Sequence, residues 1–193
     1  MTIYLIRHTS LKGVDGLCYG QLNVELSDSF EAEAERLKEL LSMTRKGLVY
    51  SSPLSRCVIL AEYLAMSPVI EDRRIMEYSF GDWEGKSWDD IGQPAIDKWA
   101  YSLIDGKVPG GESFRDFHQR VRDFFGEIWD GKEESVYIIT HGGVIRSMIS
   151  ECLGISLENS LRIGIDYGSV SRISGDKENC RVDYVNRVAL KKN

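Results

Sequence analysis

The stretch SVYIITHGGVIRSMISECLG (135–154) joins an apolar run to an amphipathic one. Its first six residues, 135–140, are mostly apolar and rich in β-branched side chains, which is typical of a buried strand. A helix is predicted over 142–154, because two glycines follow His141 and apolar residues then recur at helical spacing. The same order, a buried strand followed at once by a helix, recurs elsewhere in the chain.

Earlier segments show the same pattern. TIYLI (2–6) is typical of a buried strand, and GLVYSS (47–52) predicts another. A helix is expected over 53–65, with Pro53 in its first turn and Ser52 as its N-cap. The other predicted elements are a helix over 26–42 with Ser27 as N-cap, a strand over 68–72, a helix over 113–130 with Ser113 and Asp116 as a capping box, and closing strands SVSRIS (169–174) and CRVDYV (180–185).

Strands that alternate with helices indicate an α/β fold. We predict a three-layer α/β/α arrangement, with a mostly parallel sheet flanked by helices. A chain of 193 residues fits a single domain, residues 1–193. Residues 82–112 mix Trp, Gly and charged residues, and Pro94 is expected to interrupt any helix there. We expect this segment to be a lid or insertion over the active site.

Composition narrows the classes of partner. The net charge is −6 and the pI about 5.2, which argues against nucleic acid and anionic membranes as partners. No apolar run approaches membrane-spanning length, so we expect a cytoplasmic protein. We expect its partner to be a small molecule, and the protein to act alone or as a homodimer. The four cysteines (Cys18, Cys57, Cys152 and Cys180) show no metal-ligand spacing, so we expect reduced thiols and no metal.

The predicted strand ends carry positively charged and imidazole side chains. Arg7 and His8 follow the first strand, and Arg56 lies in the first turn of the helix after the second. His141 and Gly142 follow the strand at 135–140. Because ligands bind beyond the carboxyl ends of parallel strands, we expect two arginines and two histidines at one edge of the sheet.

Such a set favours phosphate chemistry. Two guanidinium groups match a dianionic phosphate bidentately, and the helix start at Gly142 and Gly143 adds N–H groups and a positive dipole end. Arginines nearby lower the pKa of a histidine, and a neutral imidazole can attack phosphorus. The departing alkoxide then needs a proton donor, and a carboxyl group whose pKa is raised beside the phosphate usually provides it.

Five motifs, LIRHT, SSPLSR, MEYSFGDWEG, PGGES and ITHGG, occur in order from the first strand to residue 143. Together they resemble the histidine phosphatase superfamily, whose founding members are phosphoglycerate mutases. The resemblance implies a phosphoglycerate mutase-like fold and a phosphomonoester hydrolase that needs no metal or cofactor. It implies that His8 is the phosphorylated nucleophile and Glu77 the proton donor. Arg7, Arg56 and His141 would form the phosphate pocket.

A finer pattern, RHT followed by CYGQ-x-N-x-x-L, resembles the α-ribazole phosphatase branch, which acts in cobalamin nucleotide-loop assembly. It implies α-ribazole 5′-phosphate as the substrate. Thr9 stands where the superfamily usually has a glycine. By position, Thr9, Tyr19, Gly20 and Gln21 would line the mouth of the pocket, and Gly142 would contact the substrate through its backbone.

Other functions remain open. One is a broad-specificity phosphatase for sugar phosphates or phosphoglycerate; another, of a different class, is a catalytically silent phosphate-binding module. A mutase is less favoured, because 82–112 is a modest lid for a twice-phosphorylated intermediate. We also expect Arg56 to face solvent in its first turn, and His118, which belongs to no motif, to lie on a helix surface.

Overall fold

Eight strands are present in the part of the chain that the computed structural model describes, residues 1–41, 47–66 and 68–189. Their bounds are β1 (Thr2–Arg7), β2 (Leu17–Cys18), β3 (Leu48–Ser51), β4 (Val69–Glu71), β5 (Lys86–Ser87), β6 (Ser135–Thr140), β7 (Val170–Ser174) and β8 (Arg181–Arg187). Six of them form the main sheet in the order β4-β3-β6-β1-β7-β8, and β2 pairs with β5 separately.

The centre of the main sheet is parallel. β4, β3, β6 and β1 run in the same direction, whereas β7 is antiparallel to β1 and the edge strand β8 is antiparallel to β7. β1 and β6 pair in register from Thr2 opposite Ser135 to Arg7 opposite Thr140. The predicted mostly parallel sheet is therefore confirmed, and its two central strands end at the same level.

Helices cover the sheet. Their bounds are α1 (Phe30–Leu41), α2 (Ser55–Tyr63), α3 (Trp88–Ile91), α4 (Gln93–Tyr101), α5 (Phe114–Trp129), α6 (Gly142–Leu153) and α7 (Leu157–Ser160), with two 3₁₀ turns at Arg73–Ile75 and Gly81–Trp83. The helices predicted over 53–65, 113–130 and 142–154 are confirmed. Within the described ranges, none of these helices has the length and apolar character needed to cross a membrane.

Side chains along β1 alternate between two apolar layers, as the pleat of a strand requires. Ile3 and Leu5 pack in the cluster that contains the buried residues of α5 and α6. Tyr4 and Ile6 pack on the opposite side, with buried residues of α1 and α2. Full burial of an apolar side chain of this size contributes roughly 1.5–3 kcal/mol. The three-layer α/β/α arrangement is thus confirmed.

Two predicted helix starts are wrong. α1 begins at Phe30, after a turn in which the Phe30 N–H donates to the carbonyl of Ser27 at 2.9 Å, so Ser27 opens that turn rather than capping the helix. The last residue of the prediction, 42, lies outside the described residues. The N-cap of α2 is Leu54 and not Ser52, because the chain turns once more before the helix begins.

Residues 82–112 contain β5, α3 and α4. Pro94 lies in the first turn of α4, where proline is tolerated, so the prediction that it interrupts a helix is wrong. Trp83 is buried in a small aromatic cluster, and Trp88 and Trp99 pack against it. The three tryptophans therefore pack against one another within this segment.

Two of the four cysteines are joined. A disulfide connects Cys152 in the last turn of α6 to Cys180, just before β8, with the Cα atoms 5.6 Å apart. The prediction that all thiols are reduced is wrong for this pair, which the fold brings together from positions 28 residues apart. Cys18 and Cys57 are free and buried.

Candidate active site

His8 lies directly beyond the end of β1 and is 1% exposed. Its Nδ1 is 2.8 Å from the carbonyl oxygen of Thr9. Because a carbonyl only accepts, Nδ1 carries the proton and Nε2 keeps its lone pair. Burial, followed by the positive charges of Arg56 and Arg7, holds the pKa of His8 well below its usual value. The ring is therefore neutral near pH 7.

Arg7 ends β1 with its guanidinium group against aromatic and backbone groups. Its Cζ lies 3.8 Å from the ring centroid of Tyr167, and its Nη1 donates to the carbonyl of Ile165. Its buried Nε has no partner among the residues that the structure describes. A Cβ added at Gly142 would be 3.5 Å from Arg7 Cζ, so this guanidinium group adjoins the start of α6.

Arg56 is fully buried, so the prediction that it faces solvent is wrong. The loop before α1 lies over the first turn of α2 and supplies acceptors at 2.7 Å: the Gly20 carbonyl for Nη2 and the Leu22 carbonyl for Nη1. Nε donates to Nδ1 of His141 at 3.3 Å. Arg56 thus joins this loop to the end of β6.

His141 is the N-cap residue of α6 and is also fully buried. Since Nδ1 accepts from Arg56, Nε2 carries the proton and donates to Oγ of Ser52 at 2.8 Å. Burial and then the charge of Arg56 hold the pKa of His141 well below its usual value. Its ring centroid is 5.2 Å from that of His8. Ser52, expected to be a helix cap, therefore orients this imidazole.

Glu77 is half-buried, and its carboxylate accepts two backbone hydrogen bonds. Oε1 accepts from the Tyr78 N–H at 2.9 Å, and Oε2 accepts from the Gly143 N–H at 3.2 Å. A Cβ at position 143 would overlap Oε1 of Glu77, so a larger residue there would require the carboxylate to shift. The structure thus brings Glu77 to the same helix start that follows His141.

A salt bridge that sequence reasoning missed holds the Glu77 segment. Arg120 on α5 donates to the carbonyls of Met76 and Glu77, at 2.7 and 2.9 Å, and pairs with the Glu112 carboxylate. The other bond to that carboxylate comes from the Ser79 N–H. Arg120 occupies one position of an amphipathic helix, and its sequence carried no separate signal of this role.

The residues predicted at the pocket mouth are in different settings. Tyr19 and Gly20 line a cavity, and the Gly20 carbonyl binds Arg56. Gln21 donates from Nε2 to the Glu77 carbonyl at 2.8 Å, so it supports Glu77. Thr9 is fully buried, and its Oγ1 has no hydrogen-bond partner in the described part of the chain.

A cavity of about 340 Å³ opens beside Glu77. Its polar lining includes Glu77 and Arg146, and most of the rest is aromatic or aliphatic, namely Leu17, Tyr78, Phe80, Trp88, Trp99, Leu103, Phe114 and Leu161. His8, Arg56 and His141 do not line it. The cavity is therefore adjacent to the buried histidine–arginine cluster and suits an apolar group.

The sequence matches a known protein family along most of its length. A family model described as the histidine phosphatase superfamily (branch 1) matches residues 3–188. The chain belongs to the histidine phosphatase superfamily. The resemblance inferred from the five motifs is confirmed.

Several members of the superfamily match along most of their length. The α-ribazole phosphatase structure from Shigella flexneri has a TM-score of 0.90 and 26% identity, covering 100% of both chains. Phosphoserine phosphatase 1 of Hydrogenobacter thermophilus is 28% identical, covering 89% of this chain and 85% of its own. The 2,3-bisphosphoglycerate-dependent phosphoglycerate mutase 2 of Gloeobacter violaceus is 27% identical, covering 86% and 81%. The relatives thus include phosphatases and a mutase, and the fold is phosphoglycerate mutase-like.

Two further features concern possible metal ligands and the third histidine. Between residues 1 and 189, leaving out 42–46 and 67, no group of three or more His, Cys, Asp or Glu side chains could hold a metal ion. His118, expected on a helix surface, is partly buried: its Nδ1 is 2.8 Å from Oγ of Ser147, and its Nε2 is 3.4 Å from Glu151. Action without metal or cofactor, the cytoplasmic location and the homodimer stay predictions.

Removing the guanidinium group of Arg56 tests its part in the fold. Arg56→Ala removes the hydrogen-bond partner of the buried Gly20 carbonyl and of the partly buried Leu22 carbonyl. Each of these groups that stays unpaired costs about 1–3 kcal/mol of stability. We expect the free energy of unfolding in urea to fall by roughly 2–4 kcal/mol. Arg115→Ala, which removes an exposed ion pair, should cost less than about 1 kcal/mol. Equal stability of the two variants would contradict this role.

The two neutral histidines predict a pH dependence of stability. His8 and His141 have depressed pKa values when folded, so the unfolded chain binds more protons below its own histidine pKa of about 6.5. The contribution is fully present above about pH 6.5, and we expect the free energy of unfolding to fall as the pH drops below it. The double variant His8→Asn/His141→Asn should flatten this slope in urea titrations. His118→Asn should keep the larger part, and an unchanged slope in the double variant would contradict the assignment.

Proposed function

We propose that this protein is a phosphomonoester hydrolase that forms a phosphohistidine at His8. The observation that carries the proposal is the state of the His8 ring: the Thr9 carbonyl holds the proton on Nδ1, and burial among arginines keeps the ring neutral. A neutral imidazole with a free Nε2 lone pair is a nucleophile for phosphorus. The histidine phosphatase family match supports the same chemistry.

In this proposal, positively charged side chains supply the clamp for the transferring phosphoryl group. Arg7 and Arg56 would neutralise its oxygens, and the N–H groups at the start of α6 would donate to them. His141 would donate from Nε2 by exchanging its bond to the Ser52 hydroxyl for a phosphoryl oxygen. Guanidinium groups fill the role that divalent cations have in other phosphatases, so the proposed reaction is metal-independent.

The proposed reaction has two steps. First, His8 Nε2 bonds to phosphorus as the ester P–O bond breaks, and the Glu77 carboxyl group gives its proton to the departing oxygen. Then the Glu77 carboxylate takes a proton from water, whose oxygen attacks phosphorus as the N–P bond breaks. His8 returns to its neutral form and inorganic phosphate leaves. The hydrogen bonds of Tyr78 and Gly143 to Glu77 support this position for the carboxyl group.

Other nearby carboxylates are less suited to this role. Glu84 accepts from the N–H groups of Gln21 and Phe80, at 3.0 and 2.9 Å. Glu112 is paired with Arg120. Neither carboxylate lines the cavity, whereas Glu77 does and also reaches the start of α6.

For the substrate, we propose α-ribazole 5′-phosphate. The aromatic lining of the cavity, including Trp88 and Trp99, suits the flat base of this nucleotide. The full-length likeness to the Shigella flexneri enzyme adds support. Residues 82–112 would act as the lid over this cavity, because α3 and α4 contribute these tryptophans to its wall. A lid of this modest size favours a hydrolase over a mutase, because a mutase must enclose a twice-phosphorylated intermediate.

One observation favours a second candidate, a phosphatase for phosphomonoesters whose alcohol part carries a carboxylate. Arg146 lines the cavity, and its only hydrogen bond to the described residues runs from Nε to the Ile163 carbonyl at 2.8 Å. No carboxylate within the described ranges forms an ion pair with it. Phosphoglycerate and phosphoserine carry such a group, and the Hydrogenobacter relative is named for the latter.

Trapping the intermediate tests the proposed reaction. Rapid quenching with ³²P-labelled substrate should leave acid-labile, base-stable label on His8, because the phosphoryl group passes through an N–P bond. His8→Ala should lose turnover, and prolonged EDTA treatment of the unaltered enzyme should not change its rate. Label on serine or cysteine would exclude the mechanism. Absence of any p-nitrophenyl phosphate turnover would favour a silent phosphate-binding module.

Glu77→Gln tests the proton donor by its dependence on the leaving group. An alkyl alcohol leaves as a very basic alkoxide, so protonation should contribute roughly 10²–10⁴-fold, whereas nitrophenolate needs little help. We expect Glu77→Gln to abolish most activity on alkyl phosphates and largely spare p-nitrophenyl phosphate. Glu84→Gln serves as the matched control. If hydrolysis of the phosphoenzyme limits both substrates, label accumulates in Glu77→Gln; equal losses without accumulation would remove Glu77 from this role.

A substrate panel separates the two candidates. We expect kcat/KM to be highest for α-ribazole 5′-phosphate and at least tenfold lower for ribose 5-phosphate, which lacks the aromatic base. For 3-phosphoglycerate and phosphoserine, Arg146→Met should lower kcat/KM if a carboxylate binds this residue. Higher kcat/KM for phosphoserine than for α-ribazole 5′-phosphate, with loss in Arg146→Met, would establish the second candidate.

A further inference from the structure

Two tyrosines enclose the buried histidine–arginine cluster. The ring of Tyr167 lies on the guanidinium group of Arg7, 3.8 Å from Cζ to the ring centroid, and 5.3 Å from the ring centroid of His8. Tyr19 faces Arg56, whose Cζ is 5.5 Å from its ring centroid. The two aromatic rings therefore lie against the groups that would hold a phosphoryl group.

The hydroxyl groups of these tyrosines form a hydrogen bond with each other. Their oxygens are 3.0 Å apart, although the two residues are 148 positions apart in the chain. Tyr19 also lines the cavity beside Glu77, whereas His8 does not and is 1% exposed. One member of the hydrogen-bonded pair therefore lines the open cavity, and the ring of the other lies beside the buried imidazole.

The backbone that carries Tyr167 is tied to the site itself. The Gly168 N–H donates to the carbonyl of His8, and the Arg7 N–H donates to the carbonyl of Ser169, both at 3.0 Å. Displacing this backbone would disturb His8 and Arg7, so Tyr167 can move away only by rotation of its side chain. Space exists for that rotation, because Tyr167 also borders a groove of about 490 Å³ that Ser10 and Gly168 help to line.

We propose that Tyr19 and Tyr167 form a side-chain gate that closes the phosphate pocket until a dianionic group displaces it. The identity of His8 as the group to be reached rests on the proposed function. A dianion bound bidentately to Arg7 interacts far more strongly with the guanidinium group than an aromatic face does, so phosphate exchanges with the ring of Tyr167. A neutral ligand has no such advantage and leaves the gate closed.

Chemical labelling of His8 measures the gate without requiring turnover. Tyr19→Phe and Tyr167→Phe each keep the ring and remove the same hydrogen bond. We expect the rate of His8 carbethoxylation by diethyl pyrocarbonate, followed by mass spectrometry, to rise roughly three- to tenfold in each variant, as expected for one net hydrogen bond. The double variant should gain no more than the single ones, because only one bond exists to remove.

Two internal references accompany this measurement. The labelling rate of His118, which lies outside the site, should be the same in all variants, and this shows that the variants are folded. Tyr101→Phe, which alters a side chain that is 94% exposed, should leave the labelling of His8 unchanged.

Inorganic phosphate should bind each single variant more tightly, by the same factor as the labelling gain, as measured by calorimetry.

Several results would overturn the gate. These are unchanged His8 labelling in both single variants, gains that multiply in the double variant, or weaker phosphate binding in either variant, which would make the hydroxyl groups ligands of phosphate. Faster labelling together with failure to trap a phosphohistidine in the unaltered protein would refute the proposed function and leave the gate standing. Normal trapping of a phosphohistidine with unchanged His8 labelling would refute the gate and leave the proposed function standing.

Discussion

The in-register parallel pairing of β1 with β6 is the constraint on which the rest of the structure depends. It sets Arg7 opposite Thr140, and the His8 N–H then donates to the Thr140 carbonyl at 3.0 Å. His8 and His141 consequently leave the sheet side by side. A slip of one residue would move every side chain of β1 to the other face and separate the two imidazoles. The apolar layers on both faces therefore fix the geometry of the site as well as the fold.

Neutral acceptors compensate the two arginines of this site. Arg56 donates to two backbone carbonyls and an imidazole, and Arg7 donates to a carbonyl and lies on a tyrosine ring. A carboxylate in either place would have cancelled the positive charge and favoured protonation of His8 and His141. Carbonyls satisfy the N–H groups and leave the charge in place. One choice of partner thus keeps both histidines neutral and preserves the positive charge on which the proposed phosphate binding depends.

The sequence predicted the strands, the main helices and the side chains that gather at their ends. These features depend on local periodicity and on the rule that parallel strands present their carboxyl ends at one edge. Burial of Arg56, the Ser52 contact of His141 and the salt bridge of Arg120 could not be predicted in this way. Each depends on contacts between segments far apart in the chain, which a local pattern does not encode. The start of α2 at Ser55 shows the same limit, since one additional turn made the expected cap a partner of His141.

The contact between Gly143 and the Glu77 carboxylate also restricts how this chain can diverge. A side chain at position 143 would overlap the Glu77 carboxylate and force it to shift away from the Gly143 N–H. Descendants that keep the glutamate in its present position must therefore keep the glycine. A lineage that lost the glutamate would be released from that restriction, and larger residues could accumulate at 143. The pair of residues at 77 and 143 is therefore epistatic, and its covariation among relatives would record whether this contact has been retained.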